Sequence, residues 1–204
     1  MLVLAKERLV YLAVPKTAST SIEKALGGRA SIVLRDPPGL KHTPARRWRR
    51  IVRALLPDVD VNEFETVALI REPIDWLGSW FRYRQRPYLD GHENSTAGMS
   101  FNTFVEAYLT ETPPPPARIG AQARFLSNQK GELAVHHLFA YERMSDLFAF
   151  LENRIGKRLE VGHFNASPRA KLSLDPALEQ RLRREREADF ALHRAALDGL
   201  LGGL

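Results

Sequence analysis

Short apolar runs alternate with amphipathic segments along this chain, and this alternation is the feature that most constrains its fold. The runs predict four strands, at residues 9–14, 31–35, 65–70 and 135–141. The first run is almost continuously apolar, which is typical of a strand buried on both faces of a parallel sheet. Strands that alternate with helices favour an α/β arrangement. We therefore expect an α/β fold in which a parallel β-sheet is flanked by helices on both faces.

Helical periodicity and capping residues predict the helices between and after these strands. The first runs from Ser19 and ends at Gly27 and Gly28, the second lies at 44–56 and is opened by Thr43 and Pro44, and the third follows Arg71. The fourth lies at 101–109 and is ended by the prolines 113–116. The fifth is opened by Ser145 and closed by Gly156, and the last runs from Asp175 and Pro176 to about residue 200. Residues 36–44 are predicted to be a loop. No repeat, low-complexity tail or domain boundary is visible in the sequence, so we expect a single domain over residues 1–204.

The composition limits the classes of ligand and cellular compartment. Lys and Arg total 30 against 24 Asp and Glu, a net charge of +6 that favours an anionic partner. Cysteine is absent, which excludes disulfides and thiolate metal sites. The apolar N-terminal run is interrupted by Lys6, Glu7 and Arg8 and is too short to span a bilayer. We expect a cytoplasmic protein with no stable membrane insertion.

The turn after the first strand, "PKTASTS" at residues 15–21, combines a cation with several hydroxyl groups. A strand that leads into a helix N-terminus favours anions, because free N–H groups and the helix dipole converge there. Lys16 adds a mobile charge, and Ser19, Thr20 and Ser21 add donors. An ordinary P-loop ends in Gly-Lys-Ser or Gly-Lys-Thr, which this chain lacks, so an ATPase or GTPase is disfavoured. Taken alone, the turn is equally consistent with a capped helix behind a solvated lysine.

A second candidate anion site follows the third strand. Arg71 comes directly after this strand, and Ser79 lies eight residues later on the next helix. If the first and third strands are neighbours, Arg71 and Lys16 share the carboxyl edge of the sheet, where open α/β sheets bind ligands. Arginine can bind a phosphate with two parallel hydrogen bonds, and a serine can add another. A surface ion pair of Arg71 with Glu72 is the less favoured alternative.

Together, "PKTASTS" and "REPIDWLGSW" resemble the two signature elements of sulfotransferases that use 3′-phosphoadenosine 5′-phosphosulfate (PAPS). The resemblance implies a fold like that of P-loop nucleoside triphosphate hydrolases, PAPS as a small-molecule cosubstrate and adenosine 3′,5′-bisphosphate (PAP) as product. By resemblance, the 5′-phosphosulfate is bound by Lys16, Thr17, Ala18, Ser19, Thr20 and Ser21, and the 3′-phosphate by Arg71 and Ser79. Ala18 stands where the family usually has glycine, so the turn must avoid a strongly left-handed backbone there or accept strain.

The likeness extends more weakly along most of the chain. "AQARFLS", "FAYERM" and "HFNASPRAKLS" occur in the order seen in carbohydrate-type and bacterial members, which implies a hydroxyl acceptor on a glycan. By resemblance, the last of these segments closes over the adenosine, and Arg169 and Lys171 assist at the 3′-phosphate. A solvated basic loop explains these two cations equally well. The chain is short for the family, which suggests reduced acceptor-binding elaboration.

Sulfuryl transfer requires in-line positioning, stabilisation of the leaving phosphate and a base for the acceptor hydroxyl. Lys16 is the expected stabiliser of the leaving oxygen. No metal is expected, because Lys16, Arg71 and backbone amides can meet the charge of the cosubstrate and no metal-ligand spacing occurs. His42, in the loop "GLKHTP", is the expected base, since the pKa of histidine suits proton abstraction near neutrality. Two alternatives to His42 as the base remain open, namely His163 and a carboxylate. An ordinary surface role for His42 also remains open.

The arginines of "RRWRR", with Arg53, make the predicted helix at 44–56 strongly basic. This is either a solvated helix face or an electropositive rim that guides an anionic acceptor. Two other functions remain possible: a kinase-like phosphoryl transferase that needs magnesium and ATP, and a module that binds nucleotides or nucleic acid with Trp48, Trp76 and Trp80 as stacking groups. The apolar setting of these tryptophans disfavours nucleic acid, so no such partner is expected. Tight PAP binding without a metal would support the sulfotransferase alone.

Overall fold

A five-stranded sheet forms the centre of the protein in the computed structural model, which describes residues 1–159 and 172–201. Its strands are β1 (Leu2–Leu4), β2 (Leu9–Leu12), β3 (Ile32–Val33), β4 (Glu65–Ile70) and β5 (His137–Ala140). Their order across the sheet is β3-β1-β2-β4-β5. Strands β2, β4 and β5 are parallel, with Leu12 opposite Ala68 and Ala68 opposite Leu138. The predicted first and third strands are therefore neighbours.

The expectation of a purely parallel sheet was wrong, because β1 runs antiparallel to both of its neighbours. Residues 5–8 form a short turn, in which Arg8 has a left-handed backbone with φ of 51°. A connection this short can join only antiparallel strands. The charged residues that interrupt the N-terminal apolar run thus form a hairpin turn, and the apolar residues before them form a strand that was not predicted.

Nine helices surround this sheet within the described ranges. They are α1 (Ser19–Leu26), α2 (Pro38–Lys41), α3 (Trp48–Leu55), α4 (Pro73–Arg84), α5 (Phe101–Tyr108), α6 (Gln122–Leu126), α7 (Met144–Ile155), α8 (Pro176–Glu185) and α9 (Glu187–Leu197). Gly156 closes α7 with a φ of 70°, as predicted. None of these helices is both long and apolar enough to cross a bilayer.

Several features of the helix prediction differ from the structure. Helix α7 begins at Met144, so Ser145 lies inside it and does not open it. The predicted loop at 36–44 contains α2. The next helix begins at Trp48 instead of Pro44, because the Thr43 hydroxyl donates back to the Leu40 carbonyl oxygen at 2.6 Å and does not cap a helix ahead of it. The last predicted helix is divided into α8 and α9 at Arg186, whose φ of −123° and ψ of 31° lie outside the helical range.

Helices cover both faces of the sheet, as expected. Val10 and Leu12 of β2 pack in one core with side chains of α3 and α9, while Leu9 and Tyr11 pack in a second core with α1 and α7. This alternation follows from the two-residue period of a strand, and the continuous apolar run of β2 supplies both cores. The site described below lies where β2 and β4 end between these two layers.

A third apolar cluster is formed outside the strands, chiefly by α4, α5, α8 and α9. We call it the helix cluster; its fully buried members include Trp76, Phe81, Phe104 and Leu182. Because α4 begins three residues after β4, the helix cluster is attached to the same edge of the sheet as Arg71.

Candidate functional site

The turn between β2 and α1 (residues 13–18) has an unusual backbone. Lys16 and Ala18 are both left-handed, with φ of 65° and 57°. Ala18, at the position where the family usually has glycine, therefore does not avoid the left-handed region and has a strained backbone. A left-handed non-glycine residue costs roughly 1–2 kcal/mol, and such strain persists only where surrounding contacts hold the backbone.

Side chains hold the carbonyl groups of three successive residues in this turn. The hydrogen bonds run from Thr17 Oγ1 to Val14 O at 2.9 Å, from Trp76 Nε1 to Pro15 O at 2.9 Å, and from Arg71 Nη1 to Lys16 O at 3.1 Å. By contrast, the backbone N–H groups of residues 16–20 have no acceptor within the described ranges. These N–H groups, at the N-terminus of α1, are therefore available to an anion.

The hydroxyl groups of the turn differ in what they can bind. The Thr17 hydroxyl is committed to Val14, so Thr17 can offer a ligand only its backbone N–H. Ser19 and Ser21 have no side-chain hydrogen bond to another described residue. Thr20 accepts a hydrogen bond from Lys41 Nζ at 3.3 Å. Three of the four predicted hydroxyls thus remain usable.

Lys41 is a cation of this site that the sequence analysis missed. Its ammonium contacts Thr20 and forms an ion pair with Glu23 at 3.3 Å, which ties α2 to α1. The signal was its place directly before His42, the predicted base, in a loop expected at the same edge of the sheet.

The Lys16 ammonium lies over the ring of Tyr83, 4.1 Å from its centroid. No carboxylate of the described residues forms an ion pair with it. Burial lowers the pKa of Lys16 to about 8. The positive charges of Arg86, Arg71 and Arg82 act on this pKa in the same direction. The Lys16 ammonium thus lies over an aromatic ring and near three arginines. A bound anion would relieve the repulsion among these positive charges.

Neighbouring side chains hold both the backbone and the guanidinium of Arg71 in place. Its backbone N–H and carbonyl group pair with the Gln122 side-chain amide at 3.0 and 2.8 Å. Its Nε and Nη2 atoms both lie 2.7 Å from Asp75 Oδ2, and its guanidinium lies 4.5 Å from the centroid of Tyr141. Only 8% of Arg71 is exposed. The expectation that Arg71 meets the turn of Lys16 is confirmed by the hydrogen bond between them.

Ser79 lies on α4, one helical turn after Asp75, which binds Arg71. Ser79 is half-buried, and its hydroxyl has no hydrogen bond within the described ranges. The Arg82 guanidinium lies 3.6 Å from Asp75 Oδ1. Arg71 and Ser79 are therefore linked through one helix, with Asp75 between them and a second arginine nearby.

His42 immediately follows α2, and its Nδ1 lies 2.7 Å from the carbonyl oxygen of Ala13, the residue after β2. A carbonyl oxygen only accepts, so Nδ1 carries the proton and Nε2 of the neutral ring keeps its lone pair. Burial lowers the pKa of His42 below its ordinary value of 6.5. The ring is therefore neutral at pH 7 and stands beside the turn that carries Lys16, as a base requires.

Of the remaining histidines that the structure describes, His193 is linked to the site: its Nε2 lies 2.9 Å from Glu142 Oε2, and Glu142 accepts the N–H of Glu72, the residue after Arg71, at 3.1 Å. The other described histidines lie elsewhere. His136 precedes β5 and contacts Thr66, and His137 is the first residue of β5 and contacts Glu65. Both lie at the amino ends of the parallel strands, away from the carboxyl ends where the site lies. His92 contacts Asn94 in the loop between α4 and α5.

His163, Arg169 and Lys171 lie outside the described residues, so their predicted roles stay predictions. Among the described side chains, no group of three or more His, Asp or Glu could hold a metal ion.

The sequence analysis gave Trp80 an apolar setting and did not single out Tyr83. Trp76, Leu77 and Phe81 are indeed buried in the helix cluster. Trp80, however, is only half-buried and lies 5.8 Å from the Lys16 ammonium, with its ring edge-on to Tyr83. Positions 80 and 83 share one face of a helix, so their spacing was the available signal.

Comparison with known proteins agrees with this geometry. The model of the sulfotransferase family matches residues 1–188 of the chain, which include the β2–α1 turn, His42, Arg71 and Ser79. A search of curated proteins gives no significant match. The family match covers most of the chain. The protein therefore belongs to the sulfotransferase family, whose members transfer sulfuryl groups.

Proposed function

We propose that this protein transfers the sulfuryl group of PAPS to a hydroxyl group of a carbohydrate, as a single domain with a fold like that of P-loop nucleoside triphosphate hydrolases. The hydrogen bond from Arg71 to the Lys16 carbonyl oxygen carries the proposal. It joins two cationic residues that follow neighbouring parallel strands, β2 and β4. A nucleotide with anionic groups at two positions requires such a pair of adjoining cationic sites.

The 5′-phosphosulfate is assigned to the β2–α1 turn. The free N–H groups of residues 16–20, among them those of Thr17 and Ala18, bind its oxygens together with Ser19, Thr20 and Ser21. The Lys16 ammonium leaves the Tyr83 ring or reaches across it to the bridging oxygen. Its role is to stabilise the charge that develops on the leaving phosphate.

The 3′-phosphate is assigned to Arg71 and Ser79. The guanidinium is already oriented by Asp75 and by the Lys16 carbonyl oxygen, which lowers the entropic cost of binding. The Ser79 hydroxyl, which has no hydrogen bond to another described residue, supplies a neutral donor. Arg169 and Lys171 are proposed as further 3′-phosphate contacts.

His42 is proposed as the base. As the acceptor oxygen bonds to sulfur, the bond from sulfur to the 5′-phosphate oxygen breaks, and His42 Nε2 takes the acceptor proton. PAP leaves with the electron pair of the broken bond, next to Lys16. Charge is met by Lys16, Arg71 and the free N–H groups, so we propose that the reaction needs no metal.

Thermal unfolding tests the nucleotide assignment. PAP at about a hundredfold excess over its Kd should raise the Tm by about 5–10 °C without magnesium, since ligand linkage adds stability to the folded state. AMP is the matched control, because it lacks the 3′-phosphate, and should raise the Tm less. The difference between PAP and AMP should shrink in Ser79→Ala. Transfer is then measured with labelled PAPS and a panel of sugar, lipid and phenolic acceptors.

Two results would contradict the proposal. Equal shifts from PAP and AMP would remove Arg71 and Ser79 from nucleotide binding. A shift from ATP that exceeds the PAP shift and requires magnesium would favour a kinase-like phosphoryl transferase.

A further inference from the structure

Helix α9 carries two buried polar residues, Asp189 and His193, on one face. Only 3% of Asp189 and 7% of His193 are exposed, and residues four apart in a helix lie one above the other. The other two buried residues of α9 are the apolar Phe190 and Ala196. Because a polar side chain is costly to bury without a partner, the partners of Asp189 and His193 indicate what this face does. The function proposed above uses neither residue.

Asp189 binds the N-terminus of α6. This helix begins at Gln122, and the preceding residue, Ala121, has no side-chain oxygen with which to cap it. Asp189 Oδ1 accepts the Ala123 N–H at 2.5 Å and so supplies the missing acceptor from another helix. The Gln122 side-chain amide binds both the N–H and the carbonyl oxygen of Arg71. Helix α9 is thus linked through α6 to the backbone of Arg71.

His193 is linked to the next backbone group along the chain. Its Nε2 lies 2.9 Å from Glu142 Oε2, and Glu142 Oε1 accepts the Glu72 N–H at 3.1 Å. Glu142 belongs to the short turn that follows β5. The neighbouring residue of this turn, Arg143, donates from Nη1 to the Leu197 carbonyl oxygen at 2.8 Å. Helix α9 therefore holds this turn both along its length and at its C-terminus.

The two links meet at the junction of β4 and α4. The side chains that α9 holds bind three consecutive backbone groups there, namely the N–H and carbonyl group of Arg71 and the N–H of Glu72. Apolar residues at positions 189 and 193 would suffice for packing alone. A rotation of this junction would move the Arg71 guanidinium. Both positions follow residue 188, the last that the family model matches, so the match assigns them no role.

We propose that Asp189 and His193 are positioning residues that hold Arg71 in the orientation that binds the 3′-phosphate. They act through Gln122 and Glu142 and do not contact the nucleotide. The inference rests on the proposed function, because it requires Arg71 to contact the 3′-phosphate of PAP. A guanidinium that is held in place before binding loses less conformational freedom when the phosphate arrives. Helix α9 thus sets the preference for a nucleotide with a 3′-phosphate over one without it.

Calorimetric titration of the full chain with PAP and with AMP tests this role, since the two nucleotides differ in the 3′-phosphate. His193→Leu removes the contact with Glu142 and should raise the Kd of PAP about tenfold. The Kd of AMP should change less than about threefold, because AMP lacks the phosphate that Arg71 binds. His193→Gln keeps a side-chain donor for Glu142 and should restore most of the PAP affinity. Phe190→Leu is the matched control, because it alters the packing of α9 without removing these hydrogen bonds, and should change both Kd values less than about twofold.

Hydrogen exchange of the wild-type protein tests the same link without a substitution. Each nucleotide is added at the same multiple of its Kd, so that the general stabilisation by ligand is equal. Because coupling between two parts of a protein is reciprocal, PAP should slow amide exchange in α6 and α9 more than AMP does. Helix α5, which has no part in these links, is the reference and should be protected equally by both nucleotides.

Several results would overturn the inference. Equal weakening of PAP and AMP binding in His193→Leu would mean that His193 has only a general structural role. Unchanged PAP affinity in this variant, or a His193→Gln protein as weak as His193→Leu, would remove the contact with Glu142 from nucleotide binding. Equal protection of α9 by PAP and AMP would have the same meaning. A failure of the proposed function appears separately, as a wild type that binds PAP no more tightly than AMP.

Discussion

At the scale of single residues, the site is defined by two groups whose pKa values are both lowered. Burial and three neighbouring arginines lower the pKa of Lys16 to about 8, and burial lowers that of His42 below 6.5. The first shift leaves an ammonium that is charged at pH 7 but forms no ion pair with a carboxylate of the described residues. The second leaves a neutral imidazole whose Nε2 has no hydrogen bond to another described residue. Between the two pKa values both groups have the protonation states that the proposed reaction requires.

The first prediction is a bell-shaped pH dependence of kcat/KM for PAPS, which reports the free enzyme. The rate should rise as His42 loses its proton, below pH 6.5, and fall as Lys16 loses its proton, near pH 8. His42→Ala should abolish the acid limb and lower kcat by about 10²–10⁴, the usual contribution of a positioned base. Lys16→Arg should move the alkaline limb beyond the measured range, because a guanidinium stays charged.

Profiles of kcat/KM for PAPS against pH check these limbs in the wild type and both variants, at an acceptor concentration well below its KM. A His42→Ala profile that keeps the acid limb would transfer the role of base to His163 or to a carboxylate. A Lys16→Arg profile that still falls near pH 8 would assign the alkaline limb to another group.

At the scale of elements, α4 acts as the support of the β2–α1 turn. Its N-terminal region supplies Trp76, which binds Pro15, and Asp75, which orients Arg71. Farther along, α4 supplies Tyr83 beneath Lys16. A helix is rigid over such a span, so one element sets the positions of the strained turn and of both cationic side chains. The left-handed Lys16 and Ala18 depend on these contacts.

The second prediction concerns the indole hydrogen bond. Trp76→Phe keeps an aromatic ring but removes the bond to Pro15, so it should lower the free energy of unfolding by about 1 kcal/mol beyond the lost ring contacts. PAP affinity should also fall, because the turn loses one of the side-chain hydrogen bonds that hold its carbonyl groups. Trp80→Phe is the matched control, since the Trp80 indole N–H has no acceptor within the described ranges.

Urea unfolding and PAP titration measure the two effects. If Trp76→Phe and Trp80→Phe have the same PAP affinity as the wild type, the bond to Pro15 does not shape the nucleotide site.

At the scale of the whole molecule, the sheet with its two cores is joined to the helix cluster by Trp76 and Arg71. Trp76 is buried in the helix cluster while its N–H binds the turn after β2. Arg71 is bound on its backbone by α6 and on its side chain by α4. Contacts that cross between the two parts at the functional site favour cooperative unfolding of both.

The third prediction is that the protein unfolds in one thermal transition, with equal calorimetric and van't Hoff enthalpies. Phe104→Ala, in the centre of the helix cluster, should lower the stability by about 3–5 kcal/mol and move that single transition to lower temperature. Differential scanning calorimetry provides the measurement. A variant that unfolds in two steps, with the upper step at the wild-type temperature, would divide the chain into two domains.

Part of this protein is determined by local sequence. The bounds of β4, Glu65–Ile70, agree with the prediction, because a continuous apolar run between polar residues has few alternatives. The closure of α7 at Gly156 follows from the freedom of glycine at positive φ. Lys16, His42 and Arg71 were identified as candidates because each follows a strand in a polar turn, and the carboxyl ends of parallel strands meet at one edge.

The tertiary structure decided what depends on residues distant in sequence. Strand β1 became part of the sheet because a hairpin pairs it with β2 and leaves its other edge to β3. Ala18 is left-handed because distant side chains, Trp76 and Arg71, hold the carbonyl groups before it. Lys16 rests on Tyr83, and its pKa is lowered, because folding buries it beside three arginines. Hydrophobic periodicity records how a residue meets its neighbours in the chain, whereas burial, charge and hydrogen bonding across the fold arise only when distant segments pack.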